Sequence, residues 1–244
     1  MARARIGTSG WQYDDWKGRF YPEGLAKTRW LAHYATVFDT LEVNASFYSL
    51  PKPETVAAWR DAVGADFAFA YKASRYLSHI KRLKDAEEPL AKLAPMAETL
   101  GETAGPMLVQ LPPNWNVNVE RFADFTAKLP EGRRVAYEFR HESWFCEEIY
   151  ALIRTRGDAL VITDISGAPS PDVVTGEFTY LRLHGPDEAY RGSYADAALD
   201  AWADWIAARL GEGVEVYCYF DNDDQAAAPQ DAQRLKERVA ARTG

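Results

Sequence analysis

Cysteine is almost missing from this chain of 244 residues: only Cys146 and Cys218 occur, and no CxxC pairing is present. The sequence therefore offers no disulfide framework, and the expectation is a cytoplasmic protein with both thiols reduced. Long apolar runs are also missing. No N-terminal stretch has the length and apolarity of a signal peptide or spanning helix, so no membrane partner is expected. Positive charge is in deficit, with 28 Lys and Arg against 36 Asp and Glu and a formal net charge of -8. That balance argues against coating nucleic acid or an anionic membrane through the field of the whole molecule, while leaving room for a local basic patch. No P-loop, GxGxxG, nucleophile elbow or Cys-His pair appears, so NTP hydrolysis, dinucleotide chemistry and serine or thiol acyl transfer have no support. No cofactor and no obligate protein partner is expected.

What is present is regular alternation. With 47% hydrophobic and 26% charged residues, the chain has the composition of a globular domain with a sizeable core. Short β-rich runs recur at RIGTSGW, TLEVNASFY, FAFAYKAS, PMLVQLPP, VAYEFRH, ALVITDIS, TYLRLHG and VEVYCYF. Between them the pattern turns helical, over Thr28 to Phe38, Pro53 to Val63, Glu87 to Leu100, Val119 to Leu129, Glu147 to Arg156 and Asp196 to Leu210, with a final helix from about Pro229. Eight strand-then-helix units in a chain of this length predict an α/β fold, a (β/α)8 TIM barrel forming a single domain over residues 1–244. The unit after strand six is degenerate: SGAPSPDVVTG, rich in Pro, Gly and Ser, predicts a loop or one short turn in place of a helix.

Strand alternation then sorts the side chains. Val135, Tyr137 and Phe139 share one face while Ala136, Glu138 and Arg140 share the other. Leu41 and Val43 alternate with Glu42 and Asn44, Val109 and Leu111 with Gln110, Leu181 and Leu183 with Arg182 and His184, and the aromatic set ending at Tyr71 with the set ending at Lys72. Packing the apolar faces on helices turns the polar faces inward, toward the C-terminal strand ends where barrel enzymes place their active sites. Ser9 follows the same phase. Strands six and eight are ambiguous, with Asp164 and Asp221 the inward candidates.

Several of these segments have a further property. IGTSGW, YDDWKGRFYP, TLEVNASFYSLP, YKASRYLSH, LVQLPP, YEFRHESW and RLHG resemble the YecE-like family, labelled domain of unknown function 72. The resemblance spans nearly the whole chain and implies a barrel without an assigned activity. Its motif residues coincide here with Trp11, Glu42, Asn44, Tyr48, Lys72, His79, Gln110, Glu138, Arg140, His141, Trp144, Arg182 and His184. Where the family usually shows Phe-Asn-Asn and later Asn-Ala, this chain has Phe220-Asp221-Asn222 and Asp231-Ala232, which puts any amide role at 221 or 231 in doubt.

Carboxylates Glu42, Glu138 and Asp164 interleave with Lys72, Arg140 and Arg182. Such a ring is either a neutralising plug or a site, and barrel interiors filled with apolar side chains make the site the stronger reading. Glu138 beside Arg140 is the first candidate for acid-base chemistry, His184 the candidate for proton transfer, and Glu42 the alternative carboxylate. His33 falls in a helix and reads as a surface residue. His141, in phase with Tyr137, can instead fix a loop. Three inward cations, and the five basic residues and no acid of YKASRYLSHIKRLK, fit phosphate or carboxylate. Trp11, Tyr13, Trp16, Tyr48, Trp115, Trp144, Tyr190 and Tyr194 lie in loops after strands, where they stack on a base or sugar or pack the loops. The resulting expectation is an enzyme of hydrolase, lyase or isomerase type acting on a small anionic substrate, phosphorylated or nucleotide-like. The alternatives are a metal-dependent phosphodiesterase-like hydrolase, disfavoured by those cations and by the lack of HxH or HExxH spacing, and a non-catalytic nucleic-acid-binding module.

Overall fold

A computed structural model describes residues 2–187 and 190–244. The parallel strands are β1 (Ala4–Thr8), β2 (Thr40–Val43), β3 (Ala68–Lys72), β4 (Ala104–Gln110), β5 (Val135–Glu138), β6 (Ala159–Ile165), β8 (Phe178–Leu183) and β9 (Glu215–Phe220). A two-residue strand β7 (Ala168–Pro169) pairs antiparallel with β6. Helices α1 (Trp30–Tyr34), α2 (Ala45–Tyr48), α3 (Pro53–Asp61), α4 (Glu87–Leu100), α5 (Val119–Ala127), α6 (Glu147–Arg156), α7 (Asp196–Gly211) and α8 (Ala227–Thr243) alternate with them. The succession is that of an α/β barrel of eight parallel strands, as the sequence pattern predicts. The Pro/Gly/Ser-rich stretch after β6 forms the β7 hairpin and no helix.

The chain divides into two compact units that interleave in sequence, one of residues 1–42, 162–172 and 177–244, the other of residues 43–161 and 173–176. In the first unit the end of β1 meets β2 through a parallel bridge from Ser9 to Glu42, and the order continues β1, β9, β8, β6. Arg182 stands opposite Tyr219 and Leu183 opposite Phe220 in the β8–β9 register. In the second unit β5, β4 and β3 run side by side, with the start of β6 paired to β5 at Ala159 and Leu160, and Gln110 of β4 stands opposite Glu138 of β5. Every residue of β2, β3, β5 and β8 is buried, as parallel strands covered on both faces require.

Local chemistry sets the helix ends. Asn118 caps α5, its side-chain oxygen accepting from the Arg121 amide at 2.8 Å. Pro53 begins α3, where its missing N–H has no partner to lose. Gly157, at φ 67°, supplies the left-handed residue that ends α6. Along α7 and α8, Asp196, Asp200 and Asp204 pair with Arg234, Arg238 and Arg242 in a surface ladder. These exposed pairs contribute little individually.

The first unit has one tight joint. The Tyr34 hydroxyl accepts from the Thr8 amide at 2.9 Å and donates to the Thr40 carbonyl at 3.0 Å, tying α1 to β1 and β2. Gly7 lies beneath it, and a Cβ there would stand 2.3 Å from the Thr40 carbonyl oxygen and 2.8 Å from the Tyr34 hydroxyl. Neither neighbour is a flexible side-chain end. Gly7→Ala is therefore expected to lower stability by about 1–3 kcal/mol in urea unfolding, the usual cost of overpacking. An unchanged midpoint would show that the joint has slack.

Candidate functional site

In the first unit the polar phase of the strands converges on one guanidinium. Arg182 is 1% exposed and Glu42 0%. Arg182 Nε donates to Glu42 Oε2 at 3.0 Å and Nη2 to Oε1 at 2.8 Å. Nη2 also reaches Asp221 Oδ2 at 2.9 Å and the Ser9 hydroxyl at 3.2 Å. Glu42 further accepts the hydroxyls of Ser9 and Tyr180. Burial opposes its charge, but Arg182 and the two hydroxyls outweigh that and hold the carboxyl below the ordinary range. Glu42 is thus an anchored anion, saturated by donors, rather than an open proton acceptor.

Arg182 Nη1 lies 2.9 Å from His184 Nε2. A guanidinium can only donate, so Nε2 accepts and the imidazole proton sits on Nδ1, which faces the Arg182 carbonyl at 3.2 Å. Both ring nitrogens of the buried His184 are engaged within the protein. Its sequence phase predicts a proton-transfer group, and in the structure its Nε2 bonds Arg182 and lies 3.5 Å from Asp221 Oδ2.

Asp164 lies elsewhere. Burial raises its pKa, against the opposing pull of Trp202, Tyr194 and the Gly167 amide, and its Oδ1 is buried without a hydrogen-bond partner among the described residues. Asn222 is a strut, donating to the Gly192 carbonyl at 2.7 Å and to Asp231 Oδ2 at 2.9 Å. Asp231 also accepts from the Tyr194 amide, the Ser193 hydroxyl and Arg234. A carboxylate accepts all of these bonds, whereas an amide would turn a donor toward donors.

The second unit is built differently. Glu138, 0% exposed, accepts from Gln110 Nε2 at 2.7 Å and from Arg140 Nε. Lys72 Nζ stands 4.4 Å over the Phe47 ring, and the Ser46 hydroxyl donates to the Lys72 carbonyl at 2.6 Å. His79 lies on the π-helical turn Tyr76–Ile80 that follows β3, a geometry frequent at functional sites. Its ring meets Phe47 edge-on at 5.1 Å, and Nδ1 is 2.9 Å from the Ser78 hydroxyl. Burial lowers the His79 pKa, and the charges of Lys72 and Arg75 lower it further, against an opposing pull from Glu138. His79 is accordingly neutral at pH 7. Lys72, Arg75 and Glu138 thus act on His79, and Gln110 and Arg140 in turn hold Glu138. Arg75, exposed and absent from the strand alternation, was not reachable by that argument.

His141 proves to be a loop-fixing residue: its Nδ1 caps the turn Glu142–Trp144 and meets the Ser143 hydroxyl, which in turn accepts the Val117 amide. His33 is half-buried against Phe20 and Tyr21. Trp11, Trp16, Trp115, Trp144 and Tyr194 are buried and pack loops; Trp144 stacks on Phe139 and donates to the Trp115 carbonyl at 2.7 Å. Tyr48 alone of the expected site aromatics exposes most of its surface, 81%. Asn44, half-buried, precedes α2 without capping it. Among the described residues no group of three or more His, Cys, Asp or Glu side chains is placed to hold a metal ion.

Glu42→Gln tests the anchored-anion assignment. Breaking a buried pair leaves Arg182 undercompensated and should cost about 3–5 kcal/mol. The Glu42 pKa is lower folded than unfolded, so its stabilisation is present above the unfolded carboxylate pKa and disappears as pH falls through the folded one. The parent should accordingly lose stability on acidification more steeply than the variant, read from unfolding midpoints between pH 7 and 3. Parallel profiles would contradict the assignment.

Comparison with known proteins agrees with this architecture. A family model described as protein of unknown function DUF72 matches residues 5–244. UPF0759 protein YecE of Escherichia coli strain K12 is 31% identical over 128 residues, which is 48% of this chain and 43% of that protein, so the match spans less than half of the curated relative. The crystal structure of a DUF72 family protein from Thermotoga maritima superposes with a TM-score of 0.87 at 27% identity, covering 98% of this chain and 99% of that one. A DUF72 family protein from Enterococcus faecalis shares the fold at a TM-score of 0.80 and 20% identity, over 97% and 95% of the two chains. From its strand ends to its closing helix, the chain belongs to the DUF72 family.

Proposed function

We propose that the protein is an enzyme that performs acid-base chemistry on a small anionic substrate, phosphorylated or nucleotide-like, held at the ends of β3, β4 and β5. The observation that carries this reading is the company of His79, which shares its surroundings with Lys72 and Arg75 and with the Glu138–Arg140 pair. A bound anion would complement the Lys72 and Arg75 cations. Arg140, 18% exposed at its side chain, is the cation best suited to a planar oxyanion. Glu138, held by Gln110 and Arg140 at the end of a packed strand, has the fixed orientation that proton transfer needs. His79, kept neutral, is the second acid-base group. Tyr48 offers an exposed ring for a base or sugar.

That exposed ring also favours a second reading. Tyr76, 42% exposed, lies within the same basic stretch of residues 71–84, so a non-catalytic nucleic-acid-binding module remains the alternative. A steep loss of single-stranded oligonucleotide affinity with salt, without turnover, would favour it. Among the described residues no helix is long and apolar enough to cross a membrane.

Inorganic phosphate should raise the melting temperature of the protein by mass action, and Arg140→Ala should reduce that rise. The His79 imidazole, followed by NMR, should shift its pKa upward on phosphate addition, because the anion offsets Lys72 and Arg75. Glu138→Gln should keep the phosphate response while abolishing turnover. A His79 titration indifferent to phosphate, together with an undiminished response in Arg140→Ala, would remove the anion from this cluster.

A further inference from the structure

Helix α4 turns Leu90, Leu93, Ala94 and Ala97 toward the sheet, at the i, i+3, i+4 and i+7 spacing of a packed helix face. The two alanines carry too little side chain to fill the space in front of them. Between this stripe, Met107 of β4 and the turn before β5 that holds Pro130 and Arg133, a cavity of about 150 Å³ remains, partly open to solvent. It lies wholly within the second unit.

Tyr71 gives the apolar wall a polar point. Phe69 stands opposite Ala104 and Tyr71 opposite Met107, so β4 gains a residue between the two pairs, an irregularity of the kind that re-aims a side chain. Tyr71 is 3% exposed. Its hydroxyl has no hydrogen-bond partner among the described residues, yet protein does not seal it, so it opens onto the cavity that Tyr71 lines. Burial raises the Tyr71 pKa and the Arg133 charge acts against it, which sets the guanidinium near the phenol. Arg133 is half-buried and makes no ion pair or hydrogen bond among the described residues. Glu98, at the end of the α4 stripe, is exposed and lies on the rim.

We propose that this cavity binds a small monocarboxylic acid with a compact apolar body, an aromatic ring or a branched chain of similar size, its carboxylate accepting from the Tyr71 hydroxyl and facing Arg133. A cavity of this volume with apolar walls admits a benzene ring. A phenol donor left without an acceptor among apolar side chains is costly, and a carboxylate supplies that acceptor. Arg133 can only donate, so it suits the same group and repels a cation. Glu98 on the rim opposes a second negative charge, which favours a monocarboxylate over a dicarboxylate. Lys72, the next residue along β3, belongs to the other phase of the strand. This site is therefore separate from the cluster around His79 and does not rest on the function proposed for it.

Benzoate is the probe, titrated into the intact protein with binding followed by calorimetry and by the rise in melting temperature. Benzamide keeps the ring without the charge and should bind about tenfold more weakly or worse. Arg133→Ala should weaken benzoate by about the same factor, and Tyr71→Phe, which removes only the hydroxyl, should weaken it too. Ala94→Leu fills the cavity from the helix side and should abolish benzoate binding, while Arg140→Ala should leave it unchanged. The proposal is overturned if benzoate does not bind, or if benzamide binds as tightly. Binding that survives Ala94→Leu and is lost in Arg140→Ala would place the acid in the His79 cluster and also overturn it. The comparison of benzoate with benzamide on the unaltered protein decides even if a variant fails to fold.

Discussion

A guanidinium almost wholly withdrawn from water governs the first unit. Arg182 cannot shed its charge, so the fold must surround it with counter-charge and acceptors or lose several kcal/mol of solvation. Glu42 supplies the carboxylate, and the bridge from Ser9 to Glu42 brings β1 against β2 where that carboxylate is needed. Tyr180, two residues before Arg182 on the same face, adds its hydroxyl to Glu42. His184, two residues after, must present a lone pair to the guanidinium. Asp221 completes the ring from β9.

The second unit surrounds its titratable group differently. Burial, and then the charges of Lys72 and Arg75, lower the pKa of His79 against the pull of Glu138, which Gln110 and Arg140 hold in place. The fold contributes rigidity: Tyr137 bonds Asp158 at 3.0 Å and Trp144 stacks on Phe139, so the strand carrying Glu138 and Arg140 is clamped from its apolar side.

Membership of the DUF72 family fixes the architecture and leaves the chemistry to be argued from side chains, since one barrel supports many reactions. The aromatic residues illustrate the difference. Their abundance after strands reads equally well as a stacking surface or as loop packing, and burial of Trp11, Trp16, Trp115 and Trp144 assigns them to packing. Tyr48 remains as a ring in solvent beside the cationic cluster of its own unit, joined to it through the edge contact with Phe47.

Alternation along the chain by itself determined the strands, the helices of α4 and α6 to the residue and the absent helix after β6, and it put Glu42, Gln110, Glu138, Arg182 and His184 on the polar phase of their strands, because a period of two leaves a strand residue only two faces to choose from. Residues outside that periodicity were beyond its reach. Arg75 and the turn that carries His79 follow a strand end, where direction is set by the π-helical backbone. Asp15 and Trp16 meet Gln225 and Asp223 across more than two hundred residues of sequence, once β1 and β9 pair. Above all, which charges cancel and which remain was decided by tertiary structure, because the protonation and the reactivity of a buried group depend on the few ångströms around it and not on its place in the chain.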